Sequence, residues 1–310
     1  MSQGLVQNTA ASIHQRLLNV SRQTGRSFND LVLYYAMERF LHRLSKSKHH
    51  DCFVLKGALM LFVWNAPITR VTRDIDLLGR ISNDLGGIGT AIAEICSATI
   101  DNDGLVFDPR SVVTEPIAED ADYQGVRVRF PGHLGNMKIP MQIDIGFSDI
   151  MTPDAVPVTY PAIFEHSGPR LQGYNRETAI AEKFEAMVKL GELNTRMKDF
   201  FDVWLLSGNF AFDGRLLATA ISATFNRRRT TVESDPACFL GRFKNDPARV
   251  RQWKGFVRRS RLPKEPEEFP VIMDSIRDFL APVAGAIVRG NDFHQDWRPT
   301  DRVWTVQMLL

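Results

Sequence analysis

Apolar residues recur at three- and four-residue intervals near the start of the chain. Ile13, Leu17 and Val20 mark a helix over residues 8–24, ended by Gly25. Ser27 with Asp30 resembles a capping box, and Phe28–Leu44 continues as a strongly amphipathic helix. The pattern then shortens. Cys52–Leu55 reads as a strand, Ala58–Trp64 as a short helix stopped by Asn65-Ala66-Pro67, and Thr72–Leu78 as a second strand. Leu85–Thr99 reads as a helix. Its opening Gly86-Gly87-Ile88-Gly89 follows no clear strand, so it is taken as a flexible helix start rather than a phosphate cradle.

Residues 105–115 and 124–130 are strand-like, Pro131–Asn136 reads as a turn, and Met137–Phe147 as a strand. In that strand Met141, Ile143 and Ile145 alternate with Gln142, Asp144 and Gly146. Pro153, Pro157, Pro161 and Pro169 mark a loop-rich connection. After Gly173 the period is helical: Glu177–Leu190, Thr195–Leu206, Gly214–Arg228, Ala248–Arg259 and Phe269–Arg289. The expectation is an α+β chain, a mixed half over 1–170 followed by an α-helical half over 171–310.

Composition changes this picture little. The 310 residues leave room for two domains, and 44% hydrophobic with 24% charged residues is ordinary for a globular protein. No apolar run approaches the roughly 20 residues of a membrane span, and the N-terminus lacks signal-peptide character. Cys52, Cys96 and Cys238 are far apart and odd in number, which speaks against a disulfide framework and a zinc motif. A cytoplasmic protein with reduced thiols and no membrane partner is expected. Lys46, Lys48, His49 and His50 read as a solvated linker rather than a metal site.

Charge is unevenly spread. Residues 227–264 hold 12 Lys/Arg against three acids, a net of +9 that leaves −7 for the rest of a chain whose total is +2. Within that window Val250, Trp253 and Val257 share a helix face, and Arg249, Arg251, Lys254, Arg258 and Arg259 lie off it. Such a surface either tracks a nucleic-acid backbone or is a solvated charged helix.

The candidate chemistry centres on Asp74-Ile75-Asp76. On a strand the two carboxylates face one way, about 7 Å apart. They repel each other unless a cation lies between them, which suits a hard divalent ion such as Mg²⁺. The alternative is a pair of surface strand residues. Upstream, Lys56-Gly57-Ala58 joins strand to helix and offers backbone N–H groups to a phosphate. Asp144 is a lone carboxylate in an apolar strand, costly unless satisfied, and a candidate third ligand. Further on, Lys183 lies at the margin of the stripe Ile180, Phe184, Met187 and Val188, where spacing alone favours snorkelling. By spacing alone Asp199 and Asp202 read as helix-surface carboxylates paired to Arg196, Lys198 or Arg176.

Taken together, the segments FVLKGALMLF (53–62), TRDIDLLG (72–79), QIDIGF (142–147), ETAIAEKFEAMVKLG (177–191) and RMKDFFDVWLL (196–206) resemble the AbiEii/AbiGii toxin family, which includes the MenT-type toxins. These are nucleotidyltransferases of the DNA-polymerase-β-like superfamily. The resemblance implies a small mixed β-sheet with helices carrying the metal carboxylates, followed by an α-helical C-terminal domain. It implies metal ligation by Asp74 and Asp76, with Asp144 completing the metal shell or acting as general base, and a phosphate-side turn at Lys56, Gly57 and Ala58. Thr72 and Lys183 would contact the triphosphate, and Asp199, with its neighbour Asp202, would be the acidic residue of the Lys-Asp motif. The family usually has Gly-Ser or Gly-Gly-Thr at the phosphate turn; this chain has Gly57-Ala58 and loses that hydroxyl.

The activity implied is transfer of a nucleoside monophosphate from an NTP, with Mg²⁺ or Mn²⁺, to an RNA acceptor such as the 3′ end of tRNA. An antitoxin encoded nearby is the implied partner. Two other readings stay open: an enzyme of the same fold acting on a small molecule or a protein hydroxyl, and a nucleotide-binding module without catalysis.

Overall fold

The computed structural model describes residues 2–67, 70–120, 123–147, 149–165, 167–260, 262 and 266–306, with the backbone alone for 2–8, 118–120 and 123–124. Two compact units divide the chain. The first takes Met1–Trp64, Val71–Ser148 and Val156–Gly173; the second takes Asn65–Arg70, Asp149–Ala155 and Tyr174–Leu310.

The first unit opens with α1 (Ser2–Thr24) and α2 (Phe28–Lys46). Ser27 sits at the N-cap of α2 but makes no side-chain capping bond, so the Ser27 half of the expected capping box does not form. Then follow β1 (Phe53–Lys56), the one-turn α3 (Met60–Val63), β2 (Ile75–Gly79), α4 (Leu85–Cys96), β3 (Leu105–Phe107), β4 (Val113–Asp120), β5 (Tyr123–Leu134), β6 (Met137–Gly146), β7 (Val156–Thr159) and β8 (Arg170–Gly173). The glycine-rich start of α4 is capped by Asp84, whose carboxylate accepts from Gly87 N at 2.7 Å.

The strands form one mixed sheet in the order β3-β5-β6-β2-β1-β8-β7, with β4 also paired to β5. The pairs β2–β6 and β1–β8 are parallel and the others antiparallel. Residues alternate faces along the strands. Leu55, Leu77, Ile143, Ile145, Val126 and Val128 are buried in a core shared with Tyr35, Met37, Phe40 and Leu41 of α2 and Ile88 and Ile92 of α4. The other face carries the intervening polar positions.

The turn expected over Pro131–Asn136 is corrected: β5 runs on to Leu134, and only Gly135-Asn136 turn. Pro131 is tolerated inside this strand for a local reason. Pairing of β4 with β5 ends at Arg129 and that of β3 begins at Gly132, so the proline's missing N–H falls between the two partners. The proline-rich connection also proves less irregular than expected, since it contains β7 and β8.

The second unit contains α5 (Arg176–Leu190), α6 (Met197–Asn209), β9 (Phe212–Asp213), α7 (Gly214–Arg227), the short α8 (Gly241–Lys244), α9 (Pro247–Ser260), α10 (Phe269–Val288), β10 (Gln295–Arg298) and β11 (Val303–Val306). Its core is aromatic: Phe184, Phe200, Phe201, Phe225, Phe243, Phe269 and Phe279 are fully buried. A three-stranded sheet, β11-β10-β9, adds to the expected helices. No helix among the described residues is long and apolar enough to cross a membrane.

Candidate active site

In the first unit, sheet register assembles a row of charges. Glu115 on β4 lies opposite Arg127 on β5, Arg127 opposite Asp144 on β6, Asp144 opposite Asp76 on β2, and Asp76 opposite Lys56 on β1. In-register neighbours share a face, so the two aspartates stand side by side between two basic residues. Asp74 lies just before β2, where the expected strand over Thr72–Leu78 has not yet begun, yet its carboxylate joins the others. One oxygen each of Asp74, Asp76 and Asp144 lies within 4.8 Å of the other two, all three residues being half-buried. No other group of three or more such side chains among the described residues is close enough to hold a metal ion.

This donor set fits a hard cation. Oxygens bound to one Mg²⁺ at about 2.1 Å are at most about 4 Å apart, so small side-chain rotations would bring all three into one shell. Nearby residues build the site. Gly57 has a φ of +70°, and a Cβ there would lie 1.9 Å from Asp76 Oδ2. The glycine thus serves two needs at once, a left-handed backbone and space for the carboxylate. Thr72 is buried; its Oγ1 donates to Asp74 Oδ1 at 2.5 Å, and its backbone N–H donates to the Tyr34 hydroxyl at 3.1 Å. The hydroxyl that the resemblance assigns to a nucleotide contact here orients Asp74. Ala58 is 2% exposed, so this position packs into the core and offers no solvent-facing group. No side chain caps the short turn that starts at Gly57.

Arg127 is the component that sequence reading missed. Its Nε donates to Asp144 Oδ1 at 2.8 Å and its Nη2 to Asp144 Oδ2 at 2.7 Å, a two-pronged pair. These hydrogen bonds raise the guanidinium pKa further above its already high value, against a smaller loss from burial.

A second cluster lies within the second unit. Lys183 of α5 reaches Asp199 Oδ1 at 3.1 Å and Asp202 Oδ2 at 2.9 Å, both on α6. Arg70 grips Asp202 through Nε at 2.9 Å and Nη2 at 3.0 Å, and Arg196 Nε meets Asp199 Oδ2 at 2.6 Å. Asp199 and Asp202 are each 1% exposed. Two expectations are corrected here. Lys183 does not snorkel, and Asp199 and Asp202 are not surface carboxylates; Arg196 is a partner as expected, but Lys183 and Arg70 are the others. Burial pushes the Lys183 ammonium toward neutrality, but the attraction of Asp202 and Asp199 outweighs it and the net shift is upward. Burial likewise opposes ionisation of Asp199, yet Lys183 and Arg196 bring its pKa down to about 2. Asp202 is lowered in the same way, by Arg70 and Lys183 against burial.

The basic window divides into different environments. Arg228 is drawn inward onto Asp149 at 2.8 Å and Glu185 at 2.9 Å. Arg242 pairs with Glu192, Lys244 with Asp274, and Arg249 binds the carbonyls of Asn194 and Glu192. On α9, Arg251, Lys254 and Arg258 are exposed at i, i+3 and i+7, with Arg259 beside them. Trp253 is 2% exposed and donates to Glu267 O, so it is core rather than a base-stacking platform. Arg261 and Lys264 lie outside the described residues.

A crystal structure described as a candidate nucleotidyltransferase from H. pylori aligns with a TM-score of 0.49 and 14% identity, covering 86% of this chain and 100% of that one. The crystal structure of JHP933 from Helicobacter pylori aligns with a TM-score of 0.48 and 14% identity, covering 85% and 98%. At that level of likeness neither structure carries the conclusion. No curated protein matches the sequence. The family described as "Nucleotidyl transferase AbiEii toxin, Type IV TA system" matches residues 39–281, a span holding both clusters. The chain belongs to the AbiEii family of toxin nucleotidyltransferases and is a nucleotidyltransferase.

Proposed function

We propose that the chain transfers a nucleoside monophosphate from an NTP to an RNA hydroxyl, such as the 3′ end of tRNA, at a divalent-cation site formed by Asp74, Asp76 and Asp144. The observation that supports this most is the convergence of those three carboxylates from two parallel strands and the loop before one of them. In the transfer, the acceptor hydroxyl gives up its proton to water, its oxygen bonds to the α-phosphorus, the α–β phosphoanhydride bond breaks, and pyrophosphate leaves with the bridging oxygen. Mg²⁺ or Mn²⁺ held by the carboxylates would lower the pKa of the acceptor hydroxyl and offset phosphate charge. Thr72 orients Asp74. Gly57 leaves room for Asp76. Lys56, Gly57 and Ala58 would form the phosphate-side turn through backbone N–H groups. For Lys183 the family resemblance implies a contact to the triphosphate, with Asp199 and Asp202 as the carboxylates that hold the ammonium in place.

An RNA acceptor is supported by the exposed stripe Arg251, Lys254 and Arg258 on α9, which suits a phosphate backbone. The family's toxin–antitoxin description implies an antitoxin as the biological partner. The test is incubation of the protein and Mg²⁺ with each labelled NTP in turn and a total cell extract. Label entering RNA from the wild type and not from Asp76→Asn is the expected result. Label entering only small molecules or proteins would overturn the RNA acceptor. Equal labelling of RNA by Asp76→Asn would overturn the site.

A further inference from the structure

Arg127 already engages the third candidate ligand, Asp144. Its fork engages both oxygens of Asp144. A cation ligated by Asp144 requires at least one of those oxygens, and a guanidinium alongside a divalent ion is repelled by it. The pair is accessible rather than sealed, with side chains 30% and 18% exposed. A released Arg127 also keeps a carboxylate neighbour, because Glu115 faces it across the β4–β5 ladder. Glu115 itself meets Arg129 at 2.7 Å, and Arg129 donates to Gln142, whose amide lies 3.4 Å from Asp144 Oδ2. The polar face of the sheet therefore offers both guanidinium groups more than one acceptor.

We propose that Arg127 is a displaceable internal counter-ion: it holds Asp144 while the site is metal-free and gives it up when a divalent cation binds, so that its grip sets the cation affinity. This rests on the cation reading of Asp74, Asp76 and Asp144. Arg127 is a positioning residue here, acting through Asp144 rather than on substrate.

The experiment is calorimetric titration of the full chain with Mn²⁺, without nucleotide. Arg127→Met is expected to bind Mn²⁺ about tenfold tighter, the scale of a lost charge-assisted hydrogen bond. Arg127→Lys keeps the charge, loses the fork and tightens binding about threefold. In an Asp144→Asn background, Arg127→Met tightens binding less than it does beside Asp144, because the competition for those oxygens has gone and only the repulsion by the charge is relieved. Weaker binding in both Arg127 variants would overturn the proposal and make Arg127 an organiser of the ligand. Tightening of the same size in Asp144→Asn, or no change in either variant, would overturn it too. If Asp76→Asn binds Mn²⁺ as the wild type does, the cation reading itself fails. If Asp76→Asn loses binding while the Arg127 variants match the wild type, this proposal alone fails.

Discussion

Two clusters of aspartates, one in each unit, are built on opposite electrostatic terms. Around Asp74, Asp76 and Asp144, three carboxylates gather in half-buried positions and one guanidinium, Arg127, binds directly to one of them. Around Asp199 and Asp202, two fully buried carboxylates are answered by Lys183, Arg70 and Arg196. The second cluster is complete within its own unit. The first crowds three carboxylates within 4.8 Å of one another, which is the arrangement of a site that gains stability from an added cation. What distinguishes them is burial and packing: half-buried carboxylates crowded on one another in the first, fully buried ones each held by two cations in the second.

Substitutions can break this contrast. The largest effect is expected for Asp76→Asn, which should lower nucleotide transfer by about a thousandfold or more, about 4 kcal/mol of transition-state stabilisation. Removing one of three clustered carboxylates relieves repulsion, so the metal-free variant should melt no lower than the wild type. Asp202→Ala is the opposite case. It removes the buried carboxylate that Arg70 and Lys183 share and should cost about 3 kcal/mol in urea unfolding. A metal-free Asp76→Asn that unfolds as readily as Asp202→Ala would erase the distinction.

Gly57→Ala is expected to cost about 2 kcal/mol, from the left-handed backbone and from the Cβ that meets Asp76. It should also weaken Mn²⁺ binding, which a purely conformational penalty would not. The smallest effect is on pH. The folded pKa of Asp199 is about 2, below its unfolded value of about 3.9, so its contribution is present above that unfolded value. It is lost as pH falls from about 4 toward 2, with a slope of at most about 1.4 kcal/mol per pH unit. Asp199→Asn should flatten stability curves in that window and leave them parallel to the wild type above it.

Much of this arrangement is legible in the sequence, and what is not has identifiable causes. Asp74-Ile75-Asp76 and Asp144 could be found because strand alternation exposes carboxylates against an apolar pattern. The long helices follow from their period. Arg127 could have been found as well: a two-residue turn at Gly135-Asn136 fixes a hairpin register that places 127 opposite 144. Reading Pro131–Asn136 as one long turn hid that register. Arg70 was out of reach, because its partner Asp202 lies 132 residues away and no local pattern links them. Asp199 and Asp202 were misread for a related reason. Helical spacing ranks positions by apolar character, and a buried ion pair places charge where that ranking puts solvent. Strand β9, of two residues, is too short to leave a period.

The most direct test of the account is the melting temperature of the wild type and of Asp76→Asn, each measured with chelator and then with excess Mn²⁺. A ligand that binds only the folded state raises its stability. The wild type is expected to rise by several degrees and Asp76→Asn not at all. An equal rise in both proteins, or none in the wild type, would contradict the claim that Asp74, Asp76 and Asp144 form a cation site.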